Sequence, residues 1–499
     1  MTATDQLADY GLSQGALDLL DGGVVGHVID GEIGQSASGE TIPVFDPSSG
    51  KQIAVAADGG QAEVDRAVAA ARQSFDDGRW RNLTAQQREQ KLRRLADLID
   101  QNRRTLGDLD SLDAGILHAY AGFIVDFAVG GVNYYAGWPT KLRGSVPDVA
   151  NGLNVVVSRE PIGVVGIIVP WNGPSAVIAF VAAALAAGNS VVLKPAPQTP
   201  LSAHVLGRLC LEAGIPDGVV NVLQGAGAAG AGLVTHPDVD KISFTGSVRT
   251  GKAIAASAAA QLKKVSLELG GKSPFIVFQD ADLEAAAAGA MSAVWSNSGQ
   301  VCTAGTRTLV HRSIYDSFVE AVVSRSKEIR VGSAFDDKTE MGPLISADQL
   351  AVVEEYVGIG VAEGASLVLG GSRGLGEGYF HEPTVFTEVR PDMRIAQEEI
   401  FGPVMSLFPF ETEAEAYALA NDVEFGLAAG VWTKDLDRAH RATRALHTGT
   451  VWVNSFQLAD AGVPYGGVKQ SGYGRVLGGE GLDDFLVTKS VWTAYDPVV

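Results

Sequence analysis

Short apolar strands alternate with helices from residue 163 onward, and this alternation limits the fold more than any other feature of the sequence. The predicted strands are Gly163–Val169, Ser190–Lys194, Val219–Leu223 and Lys241–Thr245. The helices between and after them are predicted over 176–187, near Leu201–Ala213, near Ala228–Thr235 and from Val248. Strands that alternate with helices predict a parallel, doubly wound α/β sheet whose ligand lies at the carboxyl ends of the strands.

The length of the chain predicts a second α/β unit. A single core stops growing at roughly 250–300 residues, and this chain has 499. We place the second unit at about 271–463. Its predicted elements are the strand Pro274–Phe278, a helix capped at Asp280, the strand Arg307–His311, a helix opening at Ser313 with Asp316 as its capping partner, and the strand Val404–Phe408.

Composition excludes several classes of protein. The 38 basic and 58 acidic residues give a net charge of −20, which argues against nucleic acid or an anionic membrane as a partner. Two cysteines argue against a disulfide framework and fit a reducing compartment. The longest uncharged apolar run, Ala176 to Ala187, has 12 residues against the roughly 20 that span a bilayer, and no signal peptide is visible. We therefore expect a cytoplasmic protein, and we assign no metal site.

A cysteine and a glutamate carry the chemistry. Cys302 lies in the segment Ser298–Gly305, and Glu268 lies 34 residues upstream, before two glycines. A thiolate can attack a carbonyl, and a carboxylate can later activate water to release the acyl group. The alternatives are that Cys302 is a small buried apolar residue and that Glu268 is a solvated surface glutamate. Cys210, within a helical segment, is interpreted as core.

Three further groups suit an oxyanion and a dinucleotide. Asn172 can donate its amide to an oxyanion together with the backbone N–H of Cys302, although it could merely shape the turn before Pro174. Ser247 opens a helix whose free N–H groups suit a pyrophosphate, and an ordinary N-cap is the alternative. Lys194 ends a strand, where it can reach ribose hydroxyls or an added phosphate. The usual G-x-G-x-x-G fingerprint is missing.

Seven motifs in order resemble the aldehyde dehydrogenase superfamily, from about residue 25 to 495. They are 169–172 (VPWN), 193–195 (LKP), 244–247 (FTGS), 267–274 (LELGGKSP), 298–305 (SGQVCTAG), 399–403 (EIFGP) and 464–469 (PYGGVK). The resemblance implies NAD or NADP as cofactor, Cys302 as nucleophile, Glu268 as general base and Asn172 at the oxyanion. The cofactor-binding residues it implies are Ile168, Val169, Pro170, Trp171, Lys194, Gly230, Phe244, Gly246, Ser247, Leu269, Glu399 and Phe401.

The resemblance also implies a domain division and an oligomer. Residues 1–138 and 159–270 are expected to form the NAD(P)-binding domain, 271–463 the catalytic domain, and 139–158 with 464–499 the oligomerisation strands and C-terminal segment. Within the last group, Gly152–Ser158 and Leu486–Ala494 look like edge strands. In relatives such strands form a projecting sheet that joins subunits, so a homodimer or homotetramer is expected.

The chain departs from the family pattern at three positions. Pro197 stands where many NAD-preferring relatives have a glutamate that binds the adenosine ribose, so NADP becomes admissible. Val181 replaces a common lysine, and Gly173 replaces a frequent aromatic beside Asn172, which widens the pocket. The loop Ser455–Val463 carries no Lys or Arg. Because relatives that take carboxylated semialdehydes commonly use a cation near this loop, its absence favours an uncharged, hydrophobic aldehyde as substrate.

Three other functions stay open at this stage. A CoA-acylating semialdehyde dehydrogenase would replace water with a thiol, but such relatives often lack the glutamate corresponding to Glu268. A binding protein could keep the fold without catalysis. A cysteine hydrolase would need a histidine beside the thiol, and His311 is the nearest one downstream of Cys302.

Overall fold

The first sheet has eight strands, of which the central five are parallel. The computed structural model describes residue 7 and residues 10–374 and 376–495. In spatial order the strands are Gly472–Tyr473, Lys264–Glu268, Lys241–Thr245, Val164–Ile168, Ser190–Lys194, Val220–Val222, His27–Ile29 and Glu32–Gly34. Every strand outside the central five pairs antiparallel to its neighbour. The doubly wound parallel sheet expected from the sequence is confirmed, with antiparallel edges that were not expected.

Helices cover both faces of this sheet. Val164–Ile168 and Ser190–Lys194 are buried at every position, which explains why these strands are nearly continuous apolar runs. The α-helices of this half are Gln14–Asp21, Gln61–Asp76, Ala85–Gln101, Arg103–Ala114, His118–Ala136, Ile178–Ala187, Leu201–Glu212, Gly227–Thr235 and Val248–Ala259. The apolar helix Ile178–Ala187 is a core helix, entered through the 3₁₀ turn Ser175–Val177.

The second sheet has seven strands, six of them parallel. In spatial order they are Ser366–Leu369, Thr384–Thr387, Val404–Phe410, Arg307–His311, Pro274–Val277, Ala428–Trp432 and Thr450–Val453, with Ser366–Leu369 antiparallel at the edge. Its α-helices are Leu283–Trp295, Tyr315–Ser326, Ala347–Ala362, Arg394–Gln397, Glu413–Asn421 and Leu436–Ala445. The 3₁₀ turns are Ser296–Gly299 and Arg312–Ile314.

Two predicted helix caps are wrong. Asp282, not Asp280, caps the helix that begins at Leu283, accepting the backbone N–H of Ala285. Asp280 instead accepts from Thr433, from the Lys434 backbone and from Arg438, so it ties its turn to the neighbouring strand end.

The predicted pair Ser313 and Asp316 also fails as a cap. A 3₁₀ turn precedes the α-helix that begins at Tyr315, so Ser313 stands too early in the chain to be its N-cap. The Nδ1 atom of His311 accepts the backbone N–H of Ser313 at 3.3 Å.

Three small sheets complete the fold. One contains Val24–Val25, Lys51–Ala57 and Thr41–Asp46, and a second pairs Phe425–Gly426 with Val468–Lys469. The third pairs Leu153–Pro161 antiparallel with Leu486–Ala494 over nine residues each. These include both predicted edge strands, and the pairing brings distant parts of the chain together. The domain division stays a prediction.

The short helix Gly478–Asp483 lies in the sequence between the strands Gly472–Tyr473 and Leu486–Ala494. In the part of the chain that the structure describes, no single helix is long and apolar enough to cross a membrane. The two helices Arg103–Ala114 and His118–Ala136 are together long and apolar enough to cross a membrane, but the chain bends by 119° between them. Residues 106–114 of this pair are all buried within the protein.

Candidate active site

Cys302 lies in a loop that other parts of the chain hold firmly in place. The helix Leu283–Trp295 ends just before Asn297 and Ser298, which adopt left-handed φ angles of 48° and 56°. The buried Gln300 side chain accepts the backbone N–H of Ile345 at 2.8 Å, and Ser298 Oγ donates to the Gly342 carbonyl at 2.7 Å. Because these side chains anchor an unusual backbone path, the thiol is presented from a fixed loop.

The Cys302 thiol is partly buried and faces acidic groups. Its Sγ lies 3.0 Å from the hydroxyl of Tyr465. Among the described residues, Tyr465 is the side chain that forms a hydrogen bond with this sulfur. Burial raises the pKa of Cys302 to about 11, Tyr465 opposes the rise, and the carboxyl groups of Glu399 and Glu268 add to it. The thiol is therefore the resting form at neutral pH. His311 is engaged elsewhere, with Ser313 and Phe410.

Glu268 is the last residue of its strand and its carboxyl group is almost completely buried. Only 4% of the residue is exposed, and within the described residues neither carboxylate oxygen has a hydrogen bond of good geometry, although the backbone N–H of Gly467 is close enough to lower the pKa. Burial raises the pKa of Glu268 well above its usual value, while Arg475 opposes the rise. A side chain at Gly466, whose φ is 154°, would collide with Glu268 Oε1. The carboxyl group thus sits in a buried site against glycine backbone.

Asn172 is connected to the cysteine loop. Its Nδ2 atom donates to the Gln300 carbonyl at 3.0 Å. One of the two amide hydrogens is occupied by this bond, which orients the group and leaves the second hydrogen for another acceptor. The backbone around Asn172 therefore places the amide next to the segment that carries Cys302.

Lys194, Gly230 and Ser247 lie at the carboxyl ends of the first sheet. Lys194 ends its strand, and its Nζ donates to the Pro195 carbonyl at 3.0 Å. Burial lowers the pKa of Lys194 to about 8, and Asp58 opposes the shift. A Cβ at Gly230 would lie 3.9 Å from the Cδ of Lys194, so these two predicted residues are neighbours.

Ser247 is the N-cap of the helix Val248–Ala259. Its exposed Oγ accepts the backbone N–H of Thr250 at 3.3 Å, so the alternative of an ordinary N-cap holds structurally. The backbone N–H of the preceding residue, Gly246, donates to the Glu268 carbonyl at 3.0 Å. The other N–H groups of the first helical turn remain suited to an anion, because a helix N-terminus carries partial positive charge.

Glu399 and Phe401 approach from the second sheet. Glu399 Oε1 accepts the backbone N–H of Gly271 at 3.2 Å, and a side chain at Gly270 would collide with its carboxylate. Burial raises the pKa of Glu399 to about 7, and the Gly271 N–H and the Lys272 ammonium oppose the rise. Phe401 has a φ of 57°, and its ring meets Trp171, the residue after Pro170, edge-on at 5.3 Å.

Four apolar residues of the predicted cofactor-binding set have buried side chains. Ile168, Phe244 and Leu269 pack in one hydrophobic cluster, and Val169 packs in another. The Val169 N–H also bonds the Lys194 carbonyl at 3.1 Å. These four side chains thus form an apolar layer behind the carboxyl ends of the first sheet. Lys194 and Ser247 instead place polar groups at those strand ends.

Two departures from the family pattern have clear structural settings. A Cβ at Gly173 would meet only the Ala176 Cβ, at 3.8 Å, so there is room here for a larger side chain. Val181 is fully buried in its apolar helix, where a lysine would lose its hydration. Among the described residues, no group of three or more His, Cys, Asp or Glu could hold a metal ion.

Tyr465, Gln300 and Arg475 were not singled out by sequence reasoning. Tyr465 stands inside the motif 464–469 but is 163 residues from Cys302, so no local spacing connects the two. Gln300 is two residues before Cys302, inside the motif 298–305. Its side chain is completely buried in the structure, which shows that its amide anchors the loop. These contacts depend on how the two sheets meet.

Comparison with known proteins settles the family. The model of the aldehyde dehydrogenase family matches residues 34–491. The chain belongs to the aldehyde dehydrogenase family. It is 47% identical over 472 residues to aldehyde dehydrogenase family 2 member B4, mitochondrial, of Arabidopsis thaliana, covering 94% of this chain and 88% of that protein. It is 46% identical over 470 residues to human retinal dehydrogenase 2, covering 93% and 90%.

Solved structures in the family share the fold. An aldehyde dehydrogenase from Bacillus cereus, solved with NAD⁺, has 42% identity and a TM-score of 0.96, covering 97% of this chain and 99% of that one. Betaine aldehyde dehydrogenase from Staphylococcus aureus, solved with NAD⁺, has 40% identity and a TM-score of 0.95, covering 98% of each chain. The expected family and fold are confirmed, and the expected nicotinamide cofactor agrees with both neighbours.

Proposed function

We propose that the protein oxidises an aldehyde to the carboxylic acid with NAD or NADP. The observation that carries this proposal is the meeting of three groups from distant segments. The Cys302 thiol lies where the Glu268 carboxyl raises its pKa, and the Asn172 amide is bonded to the same loop. A nucleophile, a base and an oxyanion donor are what acyl chemistry requires.

Each of these groups has a distinct task. Cys302 Sγ attacks the carbonyl carbon, and the carbonyl electron pair moves to oxygen. The free hydrogen of the Asn172 amide and the Cys302 backbone N–H stabilise that oxyanion, an effect worth roughly 2.7–4 kcal/mol per donor. After the thioester has formed, Glu268 takes a proton from the attacking water, and the sulfur leaves as the acid is released.

The residues at the carboxyl ends of the strands in the first sheet suit a dinucleotide. The capped helix at Ser247 suits the pyrophosphate, Lys194 suits the adenosine ribose or its phosphate, and Glu399 suits the nicotinamide ribose. When bound there, the nicotinamide supplies the hydride acceptor that the oxidation needs. Glu399 is held for this role by the backbone N–H of Gly271.

The substrate we propose is uncharged and hydrophobic. Phe127, Phe180 and Tyr465 pack partly buried against one apolar cluster, and Tyr465 contacts the thiol. The loop Ser455–Val463 adds Phe456 and Leu458 but no cation that would bind a carboxylated aldehyde. The open space beside Gly173 leaves room for a bulky group.

Initial rates of NAD(P)H formation test this function directly. The panel contains benzaldehyde, retinal, cationic betaine aldehyde and a carboxylated semialdehyde, each with NAD and with NADP. We expect the highest kcat/KM with an uncharged aldehyde. No NAD(P)H from any aldehyde would remove the oxidation, whereas preference for betaine aldehyde or the semialdehyde would remove only the substrate class. Thioester transfer to CoA in place of hydrolysis would support the acylating alternative.

We also propose a cytoplasmic homodimer or homotetramer assembled through the third small sheet. Val156, Val487, Val491 and Trp492 of its two strands are exposed, with Trp492 at 62%. An open sheet edge with apolar side chains favours pairing with another chain. Replacing Val491 and Trp492 with aspartate is expected to lower the mass measured by light scattering, and a strictly monomeric wild type would contradict the proposal.

A further inference from the structure

Tyr465 is held rigidly with its hydroxyl on the catalytic sulfur. Its backbone N–H bonds the Val476 carbonyl at 2.8 Å, and its carbonyl accepts from the Val476 N–H at 2.9 Å. Its ring packs against the cluster of Ala179, Val476 and Leu477. Because backbone and ring are both fixed, the 3.0 Å contact between Oη and Cys302 Sγ is a defined geometry.

The other charged groups around the thiol disfavour a thiolate. Glu268 and Glu399 face Cys302, and both carboxyl groups raise its pKa. The nearby cations act on these carboxyl groups instead, Arg475 on Glu268 and Lys272 on Glu399. Among the described residues, Tyr465 supplies the side-chain hydrogen bond to the sulfur. A thiolate formed here thus depends on neutral donors.

The phenol keeps its proton in this setting. Burial raises the pKa of Tyr465 well above its usual value, and Cys302 and Glu268 add to the rise. A protonated phenol can donate to a thiolate, and a hydrogen bond to a charged acceptor is stronger than one to a neutral acceptor. The direction of the bond is therefore from Tyr465 Oη to Cys302 Sγ once the thiol loses its proton.

We propose that Tyr465 is a catalytic residue that donates its phenolic hydrogen to the Cys302 sulfur and favours the thiolate. The thiol proton leaves to solvent, the sulfur keeps the electron pair, and the phenol stays protonated. When the C–S bond forms, the charge moves to the carbonyl oxygen and the phenol releases the sulfur. This inference rests on the proposed function only in taking Cys302 as the nucleophile.

The pH dependence of alkylation by iodoacetamide tests the proposal without cofactor or aldehyde. In this reaction the S–C bond forms, the C–I bond breaks, and iodide leaves. Only two cysteines are present, and Cys210 is buried in the core, so alkylation reports on Cys302. Cys302→Ala supplies the blank. In Tyr465→Phe, which removes only the hydroxyl, we expect the thiol pKa to rise by about one unit, equivalent to a tenfold smaller thiolate fraction.

Tyr315→Phe is the matched control. Tyr315 is also buried and donates to a carbonyl, that of Leu407, but its hydrophobic cluster contains neither Cys302 nor Tyr465. We expect this variant to keep the wild-type thiol pKa, and circular dichroism checks the fold of both variants. An unshifted or lower pKa in Tyr465→Phe would overturn the proposal.

The outcome is separable from that of the proposed function. If Cys302→Ala abolishes aldehyde oxidation while Tyr465→Phe leaves the thiol pKa unchanged, only the role of Tyr465 fails. If Cys302→Ala still oxidises aldehydes, the nucleophile assignment fails whatever the alkylation shows. In Tyr465→Phe we also expect the pre-steady-state rate of NAD(P)H formation to fall several-fold at neutral pH, with a pH profile displaced upward like that of alkylation.

Discussion

The nucleotide edge (Lys194, Gly230, Gly246 and Ser247) and the thiol pocket (Cys302, Glu268, Glu399 and Tyr465) are built differently. Both lie where strands end, yet the polar groups of the nucleotide edge have partners within the fold. In the thiol pocket neither carboxylate oxygen of Glu268 has a hydrogen bond of good geometry among the described residues. A buried polar group without a good hydrogen bond costs roughly 1–3 kcal/mol, so Glu268 adds a stability cost in the thiol pocket.

This difference separates binding from chemistry. Glu268 and Glu399 have raised pKa values because their carboxyl groups are buried, and burial also raises the pKa of the Cys302 thiol. Such displaced pKa values are typical of acid–base and nucleophilic sites. Substitutions of Cys302, Glu268 and Tyr465 should therefore change reaction steps at constant cofactor affinity, and substitutions at the nucleotide edge should do the reverse.

The largest effect is expected from Cys302→Ala. Without the sulfur no covalent intermediate forms, so kcat should fall by at least about a thousandfold. The Kd for NAD and NADP, measured by fluorescence titration, should change less than about twofold, since the nucleotide contacts we propose are Lys194, Ser247 and Glu399 and not the thiol. Cys210→Ala is the control and should keep activity. Appreciable turnover by Cys302→Ala would contradict the assignment of the chemistry to the thiol pocket.

Glu268→Gln should leave the first half of the reaction intact. The amide has nearly the shape of the carboxyl group but cannot accept the proton of water, so release of the acyl group slows by roughly a hundredfold. Stopped-flow absorbance should show a burst of NAD(P)H followed by slow turnover. Loss of the burst itself would assign Glu268 to an earlier step, activation of Cys302.

The pH dependence of acyl release follows from the burial of Glu268. The carboxylate must be charged to accept a proton, and burial raises its pKa, which favours the neutral form. Acyl release should consequently fall as pH falls, with its midpoint well above the 4.5 of an ordinary glutamate. Single-turnover hydrolysis of the acyl-enzyme measures this limb. A midpoint near 4.5 would show that the pocket is wetter than its geometry indicates.

The buried strands were predictable because their pattern is local. Ser190–Lys194, Lys241–Thr245 and Arg307–His311 were predicted to the residue, since each is a short segment with apolar residues that stands between predicted helices or turns. The antiparallel strands His27–Ile29 and Gly472–Tyr473, which flank the five parallel strands, are only three and two residues long. Each joins the parallel strands through a partner about two hundred residues away, so no periodicity shows them.

The site divides in the same way. Cys302, Glu268 and Asn172 stand in short motifs beside glycine or proline, and these motifs are visible one at a time. Tyr465 meets Cys302 only because the C-terminal segment folds back, and its neighbour Gly472–Tyr473 joins the first sheet beside Glu268. Contacts of this kind follow from tertiary packing, which a single sequence does not contain.

The smallest expected effect tests the nucleotide edge. Pro197 lies in the turn after Lys194 and is half-buried. Proline neither accepts hydrogen bonds from ribose hydroxyls nor repels a 2′-phosphate, while Lys194 remains to attract it. We therefore expect wild type to use NADP within one to two powers of ten of NAD in kcat/KM, or roughly 1.4–2.7 kcal/mol.

Pro197→Glu should move that preference toward NAD by weakening NADP binding, with kcat under saturating NAD nearly unchanged. Pro197→Gln is the matched control, because it also removes the ring and its fixed φ angle but adds no charge. The ratio of kcat/KM for NADP to that for NAD should fall by about tenfold in the glutamate variant relative to the glutamine variant. If wild type rejects NADP and the two variants behave alike, a group other than residue 197 selects the cofactor. A large loss of kcat in the glutamate variant alone would mean that the edge and the thiol pocket are coupled through the strand that ends at Lys194.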